Sequence, residues 1–136
     1  MQIDPRGQRF AAVLTTLVLA AVLIADSGAL LAVQTVVFAL GAFAGLRYSP
    51  YGRLYQVAVR PRLSPPSELE DARPPRFAQA VGLGFGLVGT VGYLTGVHWL
   101  GLAATALALA AAFLNAAFGY CLGCEMYLLI RRVRSA

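Results

Sequence analysis

Long apolar runs separated by short polar breaks dominate the chain. The runs cover residues 10–25, 29–46, 77–96 and 99 to about 120. A helix needs about 20 apolar residues to cross a hydrocarbon layer about 30 Å thick, within a range of about 17–25. The pattern therefore predicts four transmembrane helices, the first slightly short. Asp26-Ser27-Gly28 and the stretch 95–98 leave room only for tight turns. The helices thus pair into two hairpins joined by the segment from Arg47 to Arg76.

Arginine placement orients these hairpins. Arg6 and Arg9 precede the first run, and Arg47, Arg53, Arg60, Arg62, Arg73 and Arg76 lie between the second and third. Arg131, Arg132 and Arg134 follow the fourth, and neither short turn carries an arginine. The excess of cationic residues on the cytoplasmic side of membrane proteins then predicts that both termini and the central loop face the cytoplasm. Reading the first run as a cleaved leader would instead leave an odd number of spans and split the arginine-rich segments across the membrane.

The two hairpins resemble each other. Asp4-Pro5-Arg6-Gly7-Gln8-Arg9-Phe10-Ala11 and Asp71-Ala72-Arg73-Pro74-Pro75-Arg76-Phe77-Ala78 both read D-x-R-x-x-R-F-A. Their endings align Ser49 with Cys121 and Tyr55 with Tyr127. Both openings start on the same side, which implies a parallel repeat about an axis along the membrane normal. Ser49-Pro50 is a helix start, because serine caps and proline suits the first helical position. By the repeat, Cys121 caps a second short helix from Leu122 to about Arg132, with Gly119 permitting the break. The alternative is an unbroken fourth helix. The predicted fold is an all-α membrane protein: four transmembrane helices as two parallel-repeat hairpins, plus short interfacial cytoplasmic helices after spans 2 and 4. The single membrane domain 1–136 comprises a first repeat 4–62, a connector 63–70 and a second repeat 71–134. Glycine pairs 41/45, 82/86 and 92/96, and the stripe Ala103, Ala106, Ala110, offer close helix approach, mostly within the chain, with a homodimer as the other use.

Composition narrows the class further. The chain is 59% hydrophobic and 12% charged, against about 45–50% and about 25% in soluble domains. A soluble globule and a disordered chain are both excluded. All 11 basic residues are arginine, and the net charge is +5. Arginines at a membrane border meet anionic lipid at the inner membrane's cytoplasmic face, and nothing beyond charge supports nucleic-acid binding.

Chemistry concentrates in Cys121-Leu122-Gly123-Cys124, the only two cysteines. Two thiols at this spacing can exchange disulfides, relay sulfur or bind a soft metal. A closed zinc site needs about four ligands. Only two protomers pooling Cys121 and Cys124 would supply them, so no metal or other cofactor is expected within one chain. Cytoplasmic reductants argue against a permanent disulfide here and for a transient one. Cys121, at a helix start, is the expected nucleophile and Cys124 the resolving thiol. Arg9 and Arg76, at similar depth, are candidates to support the thiolate. Gln34 and Asn115 are intramembrane polar residues expected to face the bundle interior.

Arg76-Phe77-Ala78-Gln79, the preceding 70–75, and Phe118-Gly119-Tyr120-Cys121-Leu122-Gly123-Cys124 resemble a family of small bacterial integral membrane proteins. It is catalogued as a domain of unknown function and is common in actinobacteria. The resemblance implies a four-span protein ending in two cysteines and, through neighbouring thioredoxin-like or sulfurtransferase proteins, a thiol or sulfur role. The resulting expectation is thiol–disulfide or sulfur relay with a soluble thioredoxin-like or rhodanese-like partner. The alternative is a non-catalytic membrane scaffold or assembly subunit whose cysteines are structural.

Overall fold

Proline marks the start of each hairpin. The computed structural model describes residues 2–3, 5–45, 48–62, 70–71 and 73–135. Arg47 and most of the 63–70 connector lie outside the described residues. Pro5 begins α1 (Pro5–Ala25), and Pro74 and Pro75 sit in the first turn of α4 (Arg73–Leu94). A first turn makes no use of the missing amide donor, and the fixed φ suits a helix. Ser27 then caps α2 (Gly28–Phe43), its hydroxyl accepting from the Leu30 N–H at 3.1 Å. The short α3 (Pro50–Leu54) widens into a π-turn over Tyr55–Val59 and tightens into a 3-10 turn over Arg60–Arg62. α5 (His98–Phe118) and α6 (Leu122–Ser135) complete the chain.

The protein is an all-α multi-pass membrane protein. Three helices, Arg6–Ala25, Arg73–Leu94 and His98–Phe118, are long and apolar enough to cross a bilayer. α2 is apolar but has only 16 residues, a length of about 24 Å at about 1.5 Å per residue. The apolar run had suggested a helix to Leu46. Gly45 adopts φ +97°, a left-handed conformation that a right-handed helix cannot absorb, so α2 ends sooner. One feature departs from pure helix: Gln2–Ile3 pairs antiparallel with Glu70–Asp71. Two residues per strand are too few to show alternation in a sequence.

Leu19, Val22, Leu31, Phe38 and Ala108 form an apolar core, yet large apolar side chains also face outward and several polar ones are buried. Leu17, Ile24, Phe43, Trp99 and Phe118 are exposed, whereas Thr15, Gln34, Thr35, Ser49 and Thr105 are buried. Lipid accepts an apolar exterior, and polar groups at that depth must find partners inside the protein. Thr15 and Thr35 do so by donating to the Ala11 and Leu31 carbonyls at 2.8 and 2.7 Å.

Close packing of α2 on α4 rests on glycine. A Cβ at Gly82, Gly86 or Gly89 would meet Phe38, Thr35 or Leu31 at 2.4–2.8 Å. These are matching i, i+4, i+7 rows on the two helices. Gly45 and Gly96 have positive φ and serve turns, which corrects the small-pair reading of 41/45 and 92/96. On α5 the buried face is Gly101, Ala104, Thr105 and Ala108, while Ala103, Ala106 and Ala110 face outward. The approach of α4 decides this, since a Cβ at Gly89 would lie 3.3 Å from that of Ala104.

Candidate dithiol site at the α5–α6 junction

Gly119, at φ +69°, ends α5 and turns the chain. The last carbonyls of a helix lack intrahelical donors, and its C-terminus attracts cations. Here Arg9 Nη2 donates to the Ala116 and Ala117 carbonyls at 3.1 and 3.4 Å. The end of α2 is served in the same way from the other hairpin: Arg76 donates to the Ala42 carbonyl at 3.2 Å and to that of Phe43 at 2.8 Å. Each hairpin thus supplies the arginine that closes the other's second helix. We expect Arg9→Ala and Arg76→Ala each to cost about 1 kcal/mol, near the upper figure for an exposed charge at a helix end. Lysine, a point charge without the guanidinium fork, should restore only part of it. Unfolding in mixed micelles checks this, and the double variant should be additive within about 0.5 kcal/mol.

Beyond the turn, Cys121 takes the N-cap position of α6. Its carbonyl accepts from the Glu125 N–H at 3.0 Å and its Sγ from the Cys124 N–H at 3.1 Å. Ser49 makes the same pair of bonds at α3, from Arg53 N–H at 2.9 Å and Gly52 N–H at 3.2 Å. Cys121 and Cys124 are joined by a disulfide, with Cα atoms 5.1 Å apart. Both are partly buried. Gln8 Nε2 donates to Cys124 Sγ at 3.2 Å, fastening the start of α1 to the pair. On the far side α6 lies against α4, where a Cβ at Gly123 would fall 2.6 Å from the Cα of Ala78. Phe77 and Tyr127 stack tilted at 5.7 Å beside this contact, as Phe10 and Tyr55 do at 5.8 Å in the first half.

The structure brings together only some of the residues singled out in the sequence. Arg9 passes close to Gly119, 3.9 Å from where its Cβ would be, two positions before Cys121. Arg76 is occupied at the end of α2 and is not at the sulfurs, because the open carbonyls there lie within its reach. Gln34 is buried, its Oε1 accepting from the Tyr51 hydroxyl at 2.5 Å. Burial holds that phenol above its ordinary pKa, so it stays a donor. Asn115 is partly buried and lines a cavity of about 270 Å³ that also reaches Cys121, Gln79, Phe38, Phe85 and Leu107. Gln8 escaped sequence reasoning: it directly precedes Arg9 in the repeated opening, but a glutamine in a first turn has no distinguishing spacing. At the opposite end, Asp26 Oδ1 and His98 Nε2 meet at 2.6 Å across the two hairpin turns. Among the described residues no group of three His, Cys, Asp or Glu side chains could hold a metal.

Fold and site together define a small multi-pass membrane protein with a closely spaced cysteine pair at a helix start, suited to redox chemistry. The family model described as "Domain of unknown function (DUF4395)" matches residues 3–132, and the chain belongs to that family. No curated protein and no solved structure matches it.

Proposed function

We propose that this protein exchanges thiols and disulfides with a soluble thioredoxin-like or sulfurtransferase partner at the cytoplasmic face of the inner membrane. The observation carrying this reading is Cys121 at the N-cap of α6, its sulfur receiving the Cys124 N–H at 3.1 Å. Backbone donors and the positive end of a helix stabilise a thiolate there. When a partner thiolate attacks the Cys121 sulfur, the S–S bond breaks and its electron pair leaves on Cys124. A second partner thiol then releases Cys121, so the partner departs as a disulfide and the pair stays reduced. The reverse runs through the same mixed disulfide.

The same reading has α2 as a fourth crossing, both termini inside and a parallel repeat. Reciprocal arginine closure by Arg9 and Arg76, the matched Ser49 and Cys121 caps, and the matched Phe–Tyr contacts support the repeat. The arginine distribution supports the orientation and a ring of contacts with anionic lipid. A membrane-impermeant maleimide, added to intact spheroplasts after mild reduction with a permeant reductant, should leave Cys121 and Cys124 unlabelled until the cells are opened. Labelling before that step would overturn the orientation and, with it, the cytoplasmic partner.

A further inference from the structure

The cavity beside the disulfide has a composition that selects its occupant. Its wall is apolar apart from a few groups, and among the described residues no charged side chain lines it. Two of those groups are the partly buried amides of Gln79, near the start of α4, and Asn115, near the end of α5. Each amide presents two N–H donors toward the cavity end nearest Cys121, which suits a ligand bearing neutral oxygen acceptors. An uncharged lining disfavours a phospholipid head group inside the cavity. From Val81, Phe85 and Leu107 a second groove of about 420 Å³ continues along α4 and α5, past Val88 and Leu100. The combined shape fits a compact, uncharged, oxygen-bearing head near Cys121 with a long apolar tail on the lipid side. At about 270 Å³ the inner cavity lies just below the lower limit of pockets for whole drug-sized ligands, which suits a head group alone.

We propose that this cavity binds the ring of a lipid-soluble quinone and that the quinone oxidises the reduced Cys121–Cys124 pair. The two thiols lose two electrons and two protons as the S–S bond forms. The two quinone oxygens receive them, giving the hydroquinone. The Gln79 and Asn115 amides donate to the ring oxygens, and electrons reach the dithiol from the soluble thiol partner on the reducing side of the membrane. This step rests on the thiol-exchange reading above, and it adds the membrane-side acceptor.

The test uses the full chain in phosphatidylcholine nanodiscs and a benzoquinone with a fully substituted ring and a decyl tail, to which thiols cannot add covalently. Calorimetric titration of the thiol-free Cys121→Ser/Cys124→Ser variant should show saturable binding near one quinone per chain. Reduced wild-type protein, mixed with the quinone without oxygen, should lose two thiols per hydroquinone formed. Asn115→Leu, and independently Ala112→Phe, which fills the cavity, should raise the half-saturating quinone concentration at least tenfold. Neither should alter reduction of the disulfide by a thioredoxin. Absent saturable binding, as when lipid chains merely fill the groove, would overturn the quinone site. So would thiol oxidation that is equally fast in both cavity variants. Thioredoxin exchange that continues in either case leaves the thiol reading standing. Its loss in the wild type would defeat that reading while binding to the thiol-free variant still reports on the cavity.

Discussion

Cys124→Ser should accumulate a mixed disulfide between Cys121 and the soluble partner, and Cys121→Ser should accumulate none. The asymmetry follows from the start of α6. A thiolate at Cys121 receives the Cys124 N–H and faces the positive end of a 14-residue helix. Such a position is worth about 0.3–1 kcal/mol when exposed and up to about 2 when partly buried. Because about 1.4 kcal/mol is tenfold in ionisation, the thiol left in Cys124→Ser should alkylate up to about tenfold faster at neutral pH than that left in Cys121→Ser. Cys124 sits one turn inside the helix, and the adjacent Glu125 carboxylate opposes its ionisation. Among the described residues its side-chain donor is Gln8, so Gln8→Ala should slow Cys124 and leave Cys121 unchanged. Alkylation rates across pH in the two single variants decide the matter. A faster-alkylating Cys124 would reverse the assignment of nucleophile and resolving thiol.

Alanine in place of two neighbouring glycines of α4 should move stability in opposite directions. A Cβ at Gly86 would lie 2.4 Å from Thr35 Oγ1, with the Thr35 Cβ and Cγ2 at 3.2 and 3.3 Å. Thr35 is buried and its hydroxyl is bonded to the Leu31 carbonyl, so it has no easy way to yield. Gly86→Ala should therefore force α2 from α4 and cost about 1–3 kcal/mol, the usual range for overpacking. A Cβ at Gly84 meets nothing within 4 Å, and alanine there only improves a helix interior, by about 0.5–1 kcal/mol. Unfolding of both variants in mixed micelles gives the signs. Stabilisation by both substitutions would show that the α2–α4 contact tolerates a methyl group and is looser than described.

What the sequence made legible follows from local causes. Apolar runs and short polar breaks located the helices, because span length and turn length are properties of neighbouring residues. Gly119 and the likeness of Ser49 to Cys121 pointed to the break before α6, since caps and left-handed turns also act within a few residues. The buried face of α5 was not legible. In a helix so rich in alanine several stripes are equally small, and only the position of Gly89 on α4 chooses among them. The stop of α2 depended on the conformation of Gly45 within an unbroken apolar run. The Gln8 contact with Cys124 arises between distant elements and leaves no periodic trace, whereas the meeting of Asp26 and His98 follows from two hairpin tips sharing one face. For Arg76 the depth was inferred but not the partner: two helix ends competed for two arginines, and the sequence contained no rule for pairing them.

The order in which a ribosome delivers this chain gives the cross-hairpin contacts a temporal meaning. Arg76 emerges after its acceptors at Ala42 and Phe43 already exist. Arg9 must wait for acceptors 107 and 108 positions later, and Gln8 for a sulfur 116 positions later. At about 5–20 residues per second the newborn first hairpin spends roughly 4–14 s with Arg9 still short of its carbonyls. The cysteine pair consequently acquires its Gln8 contact only once residue 124 has been made. A prematurely terminated product lacks the pair, and a product begun downstream of Arg9 lacks what fastens it, so neither fragment reproduces the intact site.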